Sequence, residues 1–479
     1  MNRVLSRRHF IAATAGAAVA SKIPSAMSAQ SGGGKRPNII YIFTDQQSAT
    51  MMSCAGNKWL KTPAMDYIAA NGIRFERAYT TNPVCVPARV SLMTGHFPDY
   101  FSEQKKPVRE NGGGMRIKSI SDEVRQTTIA AFLKKAGYEL AYGGKTHLPG
   151  PLNPKTLGFN VLTRDERNGL ADACAKYIKQ KHDNPYFLMA SFINPHDICY
   201  MALRGLTFDK PAYAPGRRPG AAEKRLLEAM KLPEGVSEKE FFEKHCPPLP
   251  GNHEVQEDEP KAIVSLLTRR AFRMNARKNY GDRDWRLHRW AYCRLTEMVD
   301  KQIQVVLDAL KVSGQEENTI VIFSSDHGDN DSAHKTEHKT LLYDESARIP
   351  FMVMHKGRIA AGVVDDEHLV SNGLDLLPTV CDFAGIKGQS DPRGLSVRPL
   401  VEGKKPAAWR RSLGVESEIG RMVVGDKCKY IKYDAVGEEE QLLDLKKDPL
   451  ETRHFTGEES HAEMLAMMRS EFSKWFPDA

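Results

Sequence analysis

The sequence lacks several features that would have set its class at once. No apolar run is long enough to cross a bilayer. None of its eight cysteines stands in a C-x-x-C pair, which sets aside a thiolate zinc site. Their spacing is wide and irregular, so no disulfide framework is expected. Glycine and proline, at 36 and 27 of 479 residues, are ordinary, which excludes collagen-like and broadly disordered chains. There is no internal repeat. Excess charge is also scarce. The formal net charge is +8, but Arg3, Arg7, Arg8 and Lys22 stand in an acid-free first 30 residues, and without them it is +8 − 4 = +4. A weakly basic balance on a chain of this size gives no argument for nucleic acid. What is present, 41% hydrophobic and 27% charged residues, fits a globular chain not embedded in a membrane. It is long enough for one large domain and a smaller one.

The first residues read as an export signal. Arg7-Arg8 precedes an apolar stretch over residues 10–20, and Ala26-Met27-Ser28 is a small-x-small cleavage site. Residues 1–30 are therefore expected to be a twin-arginine signal peptide, with the bacterial twin-arginine export machinery as partner and a periplasmic or secreted location. Residues 31–34 read as a flexible linker. Folding in a reducing cytoplasm before export also favours free thiols.

Short apolar runs at 38–43, 138–142, 186–192, 319–323 and 350–354 look like buried parallel strands. Helical patterns alternate with them. Thr62 as N-cap with Pro63 opens one that stops at Asn71-Gly72; others fit 128–136, 290–310 and 374–384. Alternation of this kind predicts an α/β fold with a large, mostly parallel sheet flanked by helices. Past about 390 the texture changes to β-like runs and a last helix from about 461 to 475, a small sheet-plus-helix lobe. The division is thus a catalytic domain over 36–390, with a long irregular insertion at about 200–290, and a C-terminal subdomain over 391–479.

The residues just past each strand carry the functional signal. The first strand ends at Asp45-Gln46, the second runs into Lys145-Thr146-His147, the third reaches His196 and the fourth ends at Asp326-His327-Gly328-Asp329. Ligands bind at the carboxyl ends of strands in open parallel sheets. Four segments delivering metal-binding or titratable groups to one edge are hard to read as ordinary turns.

The most specific stretch is Cys85-Val86-Pro87-Ala88-Arg89-Val90-Ser91-Leu92-Met93-Thr94-Gly95. It resembles the C-x-P-[SA]-R-x-x-L-x-x-G signature of type I sulfatases, members of the alkaline phosphatase superfamily. Asp45-Gln46, Lys145-Thr146-His147, Asn194-Pro195-His196 and Asp326-His327-Gly328-Asp329 resemble that family's further segments. His334, Lys339 and Tyr343 follow at its usual spacings. The resemblance extends to residues 376–380 and 444–452, and so covers nearly the whole chain.

The resemblance implies an alkaline phosphatase-like fold with a small C-terminal lobe, and a sulfuric ester hydrolase. It implies that Cys85 is oxidised by a formylglycine-generating maturation enzyme to an aldehyde. The hydrate of that aldehyde attacks sulfur, and sulfate leaves as the aldehyde reforms. One divalent cation would be held by Asp45, Gln46, Asp326 and His327 together with position 85. Arg89 would orient the nucleophile, Lys145 and Lys339 would grip the sulfate, His147 would be the base for the second hydroxyl, and His196 would serve the leaving oxygen. A sulfate ester is an anion, so its charge must be offset before a nucleophile approaches. Gln46 and His327 stand where many members have Asp and Asn. They lower the negative charge and suit an imidazole-tolerant metal such as Mn²⁺; the family implies Ca²⁺, with Mg²⁺ also open. The same pair resembles phosphonate monoester hydrolases, which makes a phosphonate monoester or phosphodiester hydrolase the alternative to a sulfatase acting on a sulfated carbohydrate. A non-catalytic relative would have lost Cys85, a lysine or a metal ligand, and none is lost.

A second signal is the basic run over 269–289, with Arg269, Arg270, Arg273, Arg277, Lys278, Arg283, Arg286 and Arg289 against two acids. It reads either as internal ion pairs and solvated surface, or as an electropositive wall for a further anionic group on a glycan.

Overall fold

The computed structural model describes residues 36–101, 120–210 and 218–477. The expected signal peptide lies outside the described residues. The strands in chain order are β1 (Asn38–Asp45), β2 (Gly72–Phe75), β3 (Ala78–Tyr79), β4 (Glu139–Gly144), β5 (Asn160–Thr163), β6 (Tyr186–Pro195) and β7 (Thr319–Ser325). They continue with β8 (Phe351–Met354), β9 (Val363–Asp365), β10 (Val370–Ser371), β11 (Leu413–Ser417), β12 (Gly420–Val424), β13 (Cys428–Tyr433) and β14 (Glu439–Asp444). Eight of them form one sheet in the order β5-β4-β6-β1-β7-β8-β2-β9, with β1 parallel to both neighbours.

Strand β1 is apolar on both faces because both are covered. Ile39, Tyr41 and Phe43 pack with Leu92, Met93, Leu376 and Val380. Ile40 and Ile42 pack with Met65, Leu170, Val299, Ile303 and Val306 on the other side. The result is three layers, helix–sheet–helix, as the alternating pattern predicts.

Two element readings are corrected by the structure, and a third, the helix start at Thr62-Pro63, holds with a different hydrogen-bond partner. The run at 350–354 is a strand, but β8 is antiparallel to β7 and β2. Among the segments joining β7 to β8 the only α-helix is Asp344–Ala347, so the chain makes no helical crossover and re-enters reversed. The helix read at 290–310 runs over Asp282–Val312. Its first turns are basic on the surface and bury Trp285 and Leu287 against the insertion, a pattern without the clean apolar stripe of the later turns. Thr62 stands at the N-cap of Pro63–Ala70, but its hydroxyl makes no cap bond. The carboxylate of Asp300 on the long helix accepts the Ala64 and Met65 N–H groups instead, at 3.1 and 2.9 Å.

The described residues of 199–280 are not irregular throughout; they form the helices Cys199–Leu203, Ala221–Ala229, Lys261–Arg269 and Ala271–Asn279 among other elements. Apolar residues of Cys199–Leu203, Ala221–Ala229 and Ala271–Asn279 join Trp285, Trp290 and Tyr292 of the long helix in a separate cluster, while those of Lys261–Arg269 pack with the C-terminal sheet. The basic run is largely tied within the chain. Arg277 pairs with Glu259 at 2.7 Å, Arg270 with Glu418 at 3.3 Å and Arg289 with Asp331 at 3.4 Å. Arg286 donates to the Pro247 and Cys246 carbonyls.

Strands β11 to β14 form an antiparallel sheet, on which the helix Ala462–Trp475 packs through Leu465, Met468 and Phe472. All eight cysteines are free.

Candidate active site

The register of β4, β6, β1 and β7 decides what meets at their carboxyl edge. Thr44 pairs with Ser325, Asp45 with Pro195 and Gly144 with Ser191. Lys145, His196, Asp45 and Asp326 therefore leave four neighbouring strands at one level. Gly144 is required there. Its φ is +90°, and a Cβ would lie 2.1 Å from the Ser191 carbonyl oxygen. That close approach lets the Lys145 N–H reach the same oxygen at 3.0 Å and turns the lysine inward.

Cys85 arrives from the opposite side as the first residue of the buried helix Cys85–Thr94, where the helix dipole favours a negative group. Its Sγ lies 2.9 Å from Lys339 Nζ, 3.2 Å from His327 Nε2, 3.6 Å from Asp45 Oδ1 and 3.8 Å from Lys145 Nζ. Lys145 also reaches Asp45 Oδ2 at 2.6 Å. Two lysines from different segments thus flank one sulfur. Ligand atoms of Asp45, Cys85, Asp326 and His327 all lie within 4.8 Å of one another, and all four residues are buried.

Charges in this space govern one another. Burial and the Asp45 carboxylate push the Cys85 thiol up, yet Lys145, Lys339 and His327 together hold it well below its ordinary range. Asp45, against burial, is held well below the carboxylate range by Lys145, His196, Arg89 and Lys339. Burial and the adjacent Asp45 charge push Asp326 up. His196 is held well below the usual imidazole range, by burial first and then by the two lysines, so it is neutral at neutral pH. Its Nδ1 is buried without a hydrogen-bond partner.

Three expected site residues take other places. Arg89 makes no hydrogen bond to Cys85. One turn along the helix, its guanidinium lies over the Phe43 ring and binds Asp45 Oδ2 and Asp326 Oδ2, each at 2.8 Å. Its remaining donors go to the Lys145 carbonyl and Ser191 Oγ. Its ion pairs in this structure are thus with the two carboxylates. Gln46 does not turn its side-chain oxygen to the metal donors, as the resemblance implies. That oxygen instead accepts from Lys339 Nζ at 2.9 Å and meets the Cys199 thiol at 3.2 Å, while its nitrogen donates to Asp329 Oδ2 at 2.6 Å. His147 is exposed, with φ of +45°, and takes no hydrogen-bond partner among the described residues. The chain turns outward after Lys145 and does not bring the imidazole to Cys85. Outside this centre, His334 lies against the Tyr343 ring, and the Tyr343 hydroxyl donates to Gln256.

Ser48, Ser191, Cys199 and Tyr292 are parts of the site that the sequence does not mark. The Tyr292 hydroxyl donates to the Gln46 carbonyl at 2.6 Å and accepts from the Ser48 N–H at 2.9 Å. In the sequence it is one more apolar-stripe residue of a long helix.

A family model described as Sulfatase matches residues 37–386. The chain belongs to the sulfatase family. It is a sulfate ester hydrolase, and its fold and strand-end pattern are those of that family. A second model, N-sulphoglucosamine sulphohydrolase C-terminal, matches residues 333–476 of this sulfatase. The Delta 4,5-hexuronate-2-O-sulfatase of Bacteroides thetaiotaomicron is 27% identical over 460 residues, which cover 91% of this chain and 88% of that protein. The solved structure of a 2-O GAG sulfatase superposes with a TM-score of 0.74 at 26% identity, covering 92% of both chains. The phosphonate monoester hydrolase of Agrobacterium radiobacter shares the fold, with a TM-score of 0.68 at 19% identity over 92% of this chain and 95% of that one.

The donor set fits one divalent cation. Asp45 and Asp326 offer anionic oxygens that Arg89 holds in place from behind. His327 Nδ1 faces the Gly328 carbonyl at 2.8 Å, an acceptor only, so Nδ1 carries a proton and Nε2 is the ring atom left to face the cluster.

Proposed function

We propose that this sulfatase removes sulfate from a sulfated carbohydrate, using a formylglycine formed from Cys85 and one divalent cation. The observation that carries the reading is the position of Cys85. Its sulfur lies 2.9 Å from Lys339 Nζ and 3.8 Å from Lys145 Nζ, and clusters with the donor atoms of Asp45, Asp326 and His327. The carbohydrate class is supported by the relatives, which are named for hexuronate and glycosaminoglycan sulfates.

Asp45, Asp326 and His327 would hold the cation with position 85. Bound there, a divalent ion supplies positive charge against the sulfate oxygens. The donor set is mixed: the carboxylates suit Ca²⁺ or Mg²⁺, and the imidazole keeps Mn²⁺ open. Formylglycine supplies a hydroxyl nucleophile and, unlike serine, a way to release the bound sulfate without external water attack. Lys145 and Lys339 bind the sulfate oxygens from two sides and leave a third open for the nucleophile. Arg89 keeps the two carboxylates apart from the substrate. His196, neutral in the free protein, has a ring that can give a hydrogen bond to the leaving oxygen; an anion bound between the lysines offsets the charge that depresses it. General acid–base partners of this kind contribute about 10²–10⁴ in rate. The proposed place of work is outside the cytoplasm, on the strength of Arg7-Arg8 ahead of the apolar run, and maturation would need a formylglycine-generating enzyme.

Peptide mass spectrometry across residues 80–95 tests the aldehyde directly. Turnover of 4-nitrophenyl sulfate, an aryl phosphonate and a 2-O-sulfated hexuronate disaccharide tests the ester. The expected order places the sulfated disaccharide first; preference for the phosphonate would replace this reading by a phosphonate monoester hydrolase.

A further inference from the structure

The environment of Gln46 shows how Lys339 is aimed. A carboxamide has two similar ends, and turning it over exchanges an acceptor for a donor. Cys199 cannot choose between them, since its Sγ lies 3.0 Å from Gln46 Nε2 and 3.2 Å from Oε1. The other two neighbours can. Lys339 is a donor only, 2.9 Å from Oε1, and the Asp329 carboxylate is an acceptor, 2.6 Å from Nε2. The second Asp329 oxygen accepts the Asp331 N–H at 2.8 Å. Both oxygens are therefore committed to donors. The backbone around them is fixed as well: Ser48 Oγ donates to the Asp329 carbonyl at 3.0 Å, and Tyr292 holds the Gln46 carbonyl, where φ is +69°.

We propose that Asp329 is a positioning residue that locks the Gln46 amide with its oxygen toward Lys339, and so holds the ammonium over position 85. The proposal rests on the sulfatase reading of Lys339 and extends it to a residue that touches neither substrate nor metal donors. Its physical basis is a chain of charge-assisted hydrogen bonds with one permitted direction, carboxylate to amide to ammonium. An asparagine in place of Asp329 cannot serve both donors. It must turn its NH₂ either to Gln46, which then flips its own NH₂ toward an ammonium, or to the Asp331 N–H.

That conflict has a specific cure, Asp329→Asn combined with Gln46→Glu. In this swap variant the introduced amide gives its NH₂ to the introduced carboxylate and its oxygen to the Asp331 N–H. The introduced carboxylate in turn offers an acceptor to Lys339. Both variants and wild type are compared by calorimetry with inorganic sulfate, by kcat and KM for 4-nitrophenyl sulfate, and by thermal unfolding. Asp329→Asn is expected to weaken sulfate binding and to lower kcat, each roughly tenfold. The swap variant is expected to return both to within about threefold of wild type. A purely structural role of Asp329 predicts no such rescue. Wild-type behaviour of Asp329→Asn, or a swap variant no better than the single one, overturns the proposal. If Asp329→Asn does not fold, the swap variant decides alone: sulfate affinity near wild type supports the proposal, and affinity at the level of Lys339→Ala overturns it. Sulfate binding is read independently of ester turnover. A wild type that binds sulfate and leaves the ester intact counts against the sulfatase reading, while the swap still tests Asp329.

Discussion

Two of the buried charge clusters among the described residues, one at the carboxyl edge of the large sheet and one where β13 meets the catalytic part, are built to different ends. Around Lys429 the ammonium pairs directly with two carboxylates, although burial and the neighbouring Asp344 and Glu345 charges push Glu451 up to about 7. The ammonium is fully buried between Asp344 and Glu451, the latter at 2.6 Å. Arg348 also pairs with Asp344 at 2.7 Å, the Tyr79 hydroxyl donates to it at 3.1 Å, and the Asp344 N–H donates to Glu451 at 2.7 Å. Against burial, Lys429 and Arg348 hold Asp344 down to about 2. Around Cys85 the matching is incomplete by design. Arg89 satisfies the two carboxylates, and Lys145 and Lys339 then converge on a single sulfur, beside an imidazole nitrogen with no partner. A closed network of buried charges holds two parts together; an open one is completed by an anion and a metal.

The largest expected effect breaks the open cluster and leaves the closed one. Cys85→Ala should abolish turnover of 4-nitrophenyl sulfate while the unfolding midpoint stays close to wild type. Substantial remaining activity would remove the aldehyde from the mechanism. The converse change is Lys429→Met. Removing one partner from a buried ion pair costs about 3–5 kcal/mol. Urea unfolding should show that loss, with kcat per folded molecule unchanged. A fall in kcat without a fall in stability would show that the two clusters are not separate.

How far these differences can be read in the sequence depends on how local each one is. The strand ends are legible because buried parallel strands are apolar throughout, so Asp45, Lys145, His196 and Asp326 stand out where each run stops. Cys85 is legible through the family signature. The roles of Arg89 and Gln46 are not. Both depend on which way a long side chain turns once the strands are in register, and that is set by Asp326, Lys339 and Asp329 some 240 to 290 positions away. His147 illustrates the same limit from the other side. It is two residues from Lys145, but a backbone with positive φ sends it outward. The cluster around Lys429 is not legible as a cluster, because its members come from four segments, of which only that of Glu451 lies in a stretch covered by the family resemblance.

Lys339→Ala sharpens the comparison inside the open cluster. The contact with position 85 should count most as charge shifts onto the sulfate and the leaving oxygen. Loss of such a preorganised donor lowers kcat by about 10²–10³, with a smaller rise in KM. A raised KM at unchanged kcat would make Lys339 a binding residue only.

The smallest effect concerns a buried carboxylate that is held by backbone donors rather than by a salt bridge. Asp300 caps the helix Pro63–Ala70 through two backbone N–H groups, and burial still pushes it up to about 6. A folded-state pKa above the unfolded value of about 3.9 means that the folded state favours the protonated form. The contribution of Asp300 to stability is therefore fully present below about pH 4 and is lost as pH rises through about 6. Asp300→Asn, which has one acceptor and no charge, resembles the protonated form at every pH. The stability of wild type relative to Asp300→Asn should thus decline between pH 4 and pH 7, by about 1–3 kcal/mol, read as the difference of their urea midpoints at each pH. A difference that grows with pH would mean that the two backbone donors outweigh burial, and that a cap alone can do for one buried charge what the cluster around Lys429 needs several side chains to do.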